Sequence, residues 1–207
     1  ILLIALLMGL SANAEKSGTC GANLKWHLTD DGVLTISGKG EMYDHSYFYL
    51  SGYSDIKRII IGDGVTTIGN YAFNYCRSLT SVTIPNSVTK IGEGAFHSCS
   101  ALTSVNIPNS VTKIDVATFI DCSALTSVNI PNSVTTIEMQ AFCDCSSLTS
   151  VTIPNSVTTI DEGAFRDCSA LTSVNIPNSV KTIGDDAFSE CKALTSVNIP
   201  NSVKIIG

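Results

Sequence analysis

A strict period of 23 residues runs through this chain and limits what it can fold into. Ile84-Pro85, Ile107-Pro108, Ile130-Pro131, Ile153-Pro154, Ile176-Pro177 and Ile199-Pro200 recur at that spacing and use all six prolines. Phenylalanine keeps the same step at 73, 96, 119, 142, 165 and 188, and cysteine keeps it at 76, 99, 122, 145, 168 and 191. A fixed period of this length means stacked supersecondary units, each unable to bury its apolar face alone.

One unit can be read from Leu79. Leu79, Val82 and Ile84 sit in L-x-x-V-x-I, where Val82 and Ile84 alternate as in a strand. Pro85 ends it, having no N–H for the ladder, and Pro85-Asn86-Ser87 supplies turn chemistry. Ile91, Ala95, Cys99 and Leu102 then fall at helical offsets, so the spacing predicts a short helical or 3₁₀ segment opposite the strand. Asp115, Asp161 and Gly92 occupy its expected N-cap position. The expected fold is an α/β repeat solenoid with 23-residue turns and a parallel β-sheet on one face. A parallel β-helix is the alternative, and would show two or three strands per turn.

The ends do not repeat. Residues 1–14 read as a signal peptide lacking its basic n-region: an apolar run from Ile1 to Leu10, then the small-residue pattern Ala12-Asn13-Ala14, with cleavage near Glu15. Residues 15–49 read as a cap and connector. Leu24–Thr29 and Val33–Ser37 alternate around Asp30-Asp31-Gly32, which predicts a β-hairpin covering the first coil. The aromatic cluster Tyr43, Tyr47, Phe48, Tyr49 and Tyr53 follows, read as packing beneath that cap or as an exposed patch. Residues 50–207 form the solenoid. Its last turn lacks Ala-Phe-x-x-Cys, so the natural protein is expected to continue past Gly207.

Composition excludes some functions. The net charge of −6 and a charged fraction of only 14% leave no basic stripe for phosphates, so no nucleic-acid partner is expected. No membrane span is expected in the mature chain. His27, His45 and His97 are scattered, with no zinc or nucleophile motif around them, so no enzyme activity, metal or cofactor is expected. The cysteine column would stack thiols in a line with their side chains parallel, which favours free, buried thiols over disulfides or zinc. Cys143 lies outside that column and is expected to be exposed.

The motif Leu79-x-x-Val82-x-Ile84-Pro85-x-x-Val88-x-x-Ile91-Gly92-x-x-Ala95-Phe96-x-x-Cys99 resembles the BspA-type leucine-rich repeat, six times over from about residue 50. That resemblance implies a leucine-rich repeat fold and secreted or surface-attached proteins of bacteria and some protists, some of them adhesive. It implies a secreted or cell-surface location here, with a protein, extracellular-matrix or other cell-surface ligand as partner. In such a solenoid the outward strand positions line one face. These are Ser81, Ser104, Ser127, Ser150, Ser173 and Ser196 in one column, and Thr83, Asn106, Asn129, Thr152, Asn175 and Asn198 in the next. They are the candidate ligand-facing residues, suited to weak repeated hydrogen bonds and multivalency. The turn-to-turn variation falls elsewhere, as at Asn74-Tyr75, His97-Ser98 and Arg166-Asp167. An adhesion or interaction module is the first expectation. A structural spacer, or an accessory region of a larger enzyme, is the alternative.

Overall fold

A computed structural model describes residues 16–44 and 55–207. Residues 1–14, expected to be a signal peptide, together with His45 and the aromatics Tyr47, Phe48, Tyr49 and Tyr53, lie outside the described residues.

The chain opens with β1 (Lys16–Gly21), β2 (Leu24–Leu28), β3 (Val33–Gly38) and β4 (Gly40–Glu41). Two strands per coil then follow: β5 (Arg58–Ile61) with β6 (Val65–Ile68), β7 (Ser81–Thr83) with β8 (Lys90–Ile91), β9 (Ser104–Asn106) with β10 (Lys113–Ile114). The pattern continues through β11 (Ser127–Asn129), β12 (Thr136–Ile137), β13 (Ser150–Thr152), β14 (Thr159–Ile160), β15 (Ser173–Asn175) and β16 (Thr182–Ile183), and closes with β17 (Ile205–Ile206).

The expected hairpin is present, with β2 and β3 antiparallel from Leu24↔Gly38 to Leu28↔Leu34. A strand the sequence did not announce, β1, pairs antiparallel with the free side of β2. β3 also pairs in parallel with β5, Val33 opposite Arg58, and β4 pairs in parallel with β6. The second half of the hairpin is thus already a coil of the solenoid, its strands placed as in every later coil.

Two parallel ladders run along the solenoid. One joins like positions on the first strands in the groups β3-β5-β7, β9-β11 and β13-β15, with Val105 opposite Val128 and Val151 opposite Val174. The other joins the second strands, Ile114 opposite Ile137 opposite Ile160 opposite Ile183. Identical residues pair because the sequence period equals one coil.

The helical segment expected on the remaining side is corrected: no helix occurs among the described residues, and each coil is strand, turn, strand and a run of tight turns. The fold is therefore a β-solenoid, with the two strands per coil that the β-helix alternative anticipated. Backbone geometry gives the reason. Two residues per coil, four apart, adopt left-handed angles, such as Tyr71 (φ 55°) with Tyr75 (φ 58°) and Ala117 (φ 52°) with Asp121 (φ 59°). These reversals break any helical path while still returning every fourth side chain inward, so a stripe with helical spacing is buried without a helix. Hydrogen bonding alternates accordingly. The amides of Tyr71, Phe73 and Tyr75 donate to the next coil at Glu93, Ala95 and His97 (2.7–2.9 Å), while Ala72, Asn74 and Cys76 donate three residues back. Half of the segment's amides thereby tie coil to coil, which a short, costly helix could not do.

The core is one continuous column. The phenylalanines from Phe73 to Phe165 are fully buried and stack at centroid distances of 5.3–5.5 Å. Beside them the thiols are free and buried. From Cys99 to Cys191 each column thiol donates to a phenylalanine carbonyl of the preceding coil, Cys99 Sγ to Phe73 and Cys122 Sγ to Phe96, both 3.3 Å. A thiol occupied in this way is oriented toward the backbone rather than toward its neighbour in the column.

Candidate binding face

Alternation in the first strand of each coil places the site. In β11, Val128 turns inward between Ser127 and Asn129, and the same three-residue pattern recurs in β9, β13 and β15. All twelve candidate positions, from Ser81 and Thr83 to Ser196 and Asn198, are exposed. Where these strands pair, as β9 with β11 and β13 with β15, the ladder uses their own amides and carbonyls, so there the face offers side chains.

A groove of about 640 Å³ lies across β11, β13 and β15. Of the candidate residues it gathers Ser127, Asn129, Thr152 and Asn175. Its other side is a row the sequence reading passed over: Asn109, Asn132 and Asn155, from successive Pro-Asn-Ser turns. The signal for them was present, since a Pro-Asn-Ser tripeptide closes the strand in each of these coils. Ile130-Pro131 and Ile153-Pro154 lie between the two rows. None of the lining residues is charged or aromatic. Along the strand row, Asn129 Nδ2 donates to Asn106 Oδ1 at 3.0 Å. An amide has two N–H donors and two acceptor lone pairs, so that bond leaves Asn129 a second N–H and its own carbonyl oxygen. The rim is rigid for a local reason: Ser110, Ser133 and Ser156 donate from their hydroxyls to the valine carbonyls 22 residues back, at 2.5–2.6 Å.

The variable residues collect on another edge. The exposed Tyr75 ring lies 5.1 Å from the His97 ring, and the Arg77 guanidinium lies 5.6 Å from the Tyr75 ring centre. His97 Nε2 and Ser98 Oγ both approach Asp121 Oδ2, at 3.5 and 3.2 Å. The hydroxyl therefore addresses the carboxylate rather than the imidazole, unlike the relay that activates a serine nucleophile.

Cys143 is corrected from exposed to buried. Its amide donates to the Gln140 carbonyl at 3.2 Å and its carbonyl accepts from the Asp121 amide of the preceding coil at 2.9 Å, which holds it where one coil meets the next. Its sulfur and carboxylate oxygens of Asp144 and Asp167 lie within 4.8 Å of one another, a donor set that could hold a metal ion. Two contacts already engage the set: Cys143 Sγ donates to Asp144 at 3.3 Å, and Arg166 Nε donates to Asp167 at 3.2 Å. Burial, reinforced by the Asp144 hydrogen bond, pushes the Cys143 thiol up to about 12, so it stays protonated at neutral pH. A thiol in that state is a poor metal ligand and a poor nucleophile.

Comparison with known proteins agrees with this geometry. The BspA type leucine rich repeat region matches in six copies, over residues 44–171 and 117–207. A leucine-rich repeat protein of T. pallidum superposes with a TM-score of 0.70 at 26% identity, covering 86% of this chain and 91% of that one. A leucine-rich repeat protein of Bacteroides ovatus superposes with a TM-score of 0.61 at 29% identity, covering 87% of this chain and 53% of that one. No curated protein matches.

Proposed function

The chain belongs to the BspA-type leucine-rich repeat family, and from that premise we propose that it is a secreted or cell-surface interaction module, adhesive rather than catalytic. It holds an extended protein or other extended ligand along the outer face of its first-strand ladder. The observation that carries this reading is the groove over β11, β13 and β15, where two rows of uncharged polar side chains repeat in register from coil to coil. A single coil offers a few weak hydrogen bonds, and a ligand crossing several coils gains from their number. Such a face lacks the tyrosine, tryptophan and arginine anchors of compact hot spots, which suits length-dependent rather than point-like recognition. Among the described residues no helix is long and apolar enough to cross a membrane.

The test is to probe the full chain and a groove-blocking variant, Thr152→Arg, against immobilised extracellular-matrix proteins and polysaccharides. Retention of the unaltered chain on at least one of them, weakened at least tenfold by Thr152→Arg, supports the proposal. Retention on none, as for a pure spacer, or retention untouched by the substitution, overturns it.

A further inference from the structure

We propose that the groove over β11, β13 and β15 takes an uncharged polysaccharide, its chain running along the solenoid axis with successive rings set against successive coils. This rests on the reading of the face as a binding surface and names the chemistry of its occupant.

Three observations lead there. The first is charge. With Asn109, Asn132 and Asn155 on one side and Asn129, Thr152 and Asn175 on the other, the lining offers no ion to pair with an acidic or basic ligand. A charged polymer would lose hydration on this face and gain no counter-charge.

The second is hydrogen-bond type. The Asn129–Asn106 amide contact leaves Asn129 one N–H and its own carbonyl oxygen, and Thr152 and Asn175 continue that side of the groove with a hydroxyl and an amide, so donors and acceptors are mixed along it. A sugar hydroxyl is both donor and acceptor, so it satisfies whichever group it meets in either chain direction. A peptide backbone presents a fixed donor or a fixed acceptor at each point and must find the matching register.

The third is spacing. Like positions on β13 and β15, Thr152 and Asn175, are paired partners within the groove, and neighbouring paired strands stand ~4.8 Å apart. An extended, equatorially linked hexose chain advances one ring over nearly that distance. An extended peptide repeats its side chains every two residues, about 6.6–6.8 Å, and loses step within a few coils. A polyproline II chain does keep step, three residues at ~3.1 Å against two coils. Its recognition depends on aromatic-lined grooves, though, and this lining contains none. Ile130-Pro131 and Ile153-Pro154 supply instead an apolar floor for the C–H faces of the rings.

The experiment uses the full chain and three neutral probes, oligomers of β-1,4-glucan, β-1,4-mannan and β-1,4-xylan from two to six rings. Binding is read by calorimetry and by amide chemical shifts. At least one series should bind with affinity rising tenfold or more from two rings to six, with shifts centred on Asn129, Thr152 and Asn155. Asn129→Leu and Asn155→Leu should each weaken the six-ring ligand at least fivefold while leaving thermal unfolding in place, and Arg166→Gln on the far edge should change nothing. Failure of all three series, or affinity indifferent to length or to the asparagine substitutions, overturns the proposal. A polyproline peptide and a heparin oligomer run beside them separate the outcomes. If either binds at the groove and the neutral glycans do not, the glycan assignment falls while the face remains a binding surface. If nothing binds there, both readings fall.

Discussion

Phe96 and Phe119, one coil apart, lie with ring centroids 5.5 Å apart and planes within 2° of parallel. Phe119 meets Phe142 in the same way on its other side, at 5.4 Å. A ring covered on both faces by identical rings has no solvent-accessible surface, and Phe119 has none. Phe119→Ala should therefore cost about 3–5 kcal/mol, the usual range for emptying an aromatic from a packed core. Phe188 stacks only on Phe165 among the described rings and is partly exposed, so Phe188→Ala should cost clearly less. Denaturant unfolding of the two variants measures the difference. Equal losses would contradict a column whose members depend on both neighbours.

Ala117 holds a left-handed conformation (φ 52°) at a position where other coils carry Gly94 (φ 56°) and Gly163 (φ 58°). That conformation costs an L-residue roughly 1–2 kcal/mol, partly offset by the larger entropy glycine loses on folding. Ala117→Gly should be neutral or stabilising by up to about 1 kcal/mol. At Gly163 an added Cβ meets only ordinary contacts, the nearest being Gln140 Cγ at 3.4 Å, so Gly163→Ala reports the backbone cost alone, about 1 kcal/mol. At Gly94 the Cβ would lie 2.2 Å from the Tyr71 ring, so Gly94→Ala should be the worst of the three. Thermal melts give the order, and a destabilised Ala117→Gly would refute the backbone argument.

The repeat made the coil, its inward residues and its first strand legible before any coordinates. Val82, Ile84, Val88 and Ile91 needed only alternation and a fixed period. The remaining side was misread because Ile91, Ala95, Cys99 and Leu102 keep a helical spacing that left-handed residues four apart also produce. Nothing in the residue types marks Tyr75 or Ala117 as left-handed, since neither is glycine or asparagine. The outer strand row of the candidate face follows from the sequence, whereas Asn109, Asn132 and Asn155 carry only a turn signal there. Placing them beside Asn129 and Thr152 required knowing how the chain leaves each strand. Burial of Cys143 arises where one coil meets the next, a relation that a single repeat does not display.

Thiol chemistry can be checked directly. The column cysteines are free and buried, and those from Cys99 to Cys191 are bonded to backbone carbonyls, so alkylating reagent should leave them unmodified in the native protein at pH 7. In denaturant without reductant, all eight cysteines should label. Cys143 should be as protected as the column, because its thiol is both buried and held protonated. Rapid native labelling at Cys143 would contradict its burial between the coils, and incomplete labelling of the unfolded chain would reveal disulfides.

The same burial makes the fold sensitive to alkali. Burial raises the Cys76 and Cys122 thiols to about 12, and raises Cys99 and Cys145 well above the ordinary range. In the unfolded chain a thiol loses its proton near pH 8.5. Above that pH the native state holds protons the unfolded chain has released, so the thiols' contribution to stability is complete below about pH 8.5 and drains away as pH climbs toward 12. Between pH 8 and pH 10 the loss should be on the order of 1–2 kcal/mol for each buried thiol. Lysine and tyrosine also titrate at high pH, so the decisive comparison is between the unaltered chain and Cys122→Ala. The variant starts less stable at pH 7 because of the missing sulfur, yet it should lose less between pH 8 and pH 10 than the parent. Parallel losses in the two proteins would mean that the Cys122 thiol does not resist ionisation in the folded state, and the assignment of Cys122 as a buried, protonated donor to Phe96 would have to be abandoned.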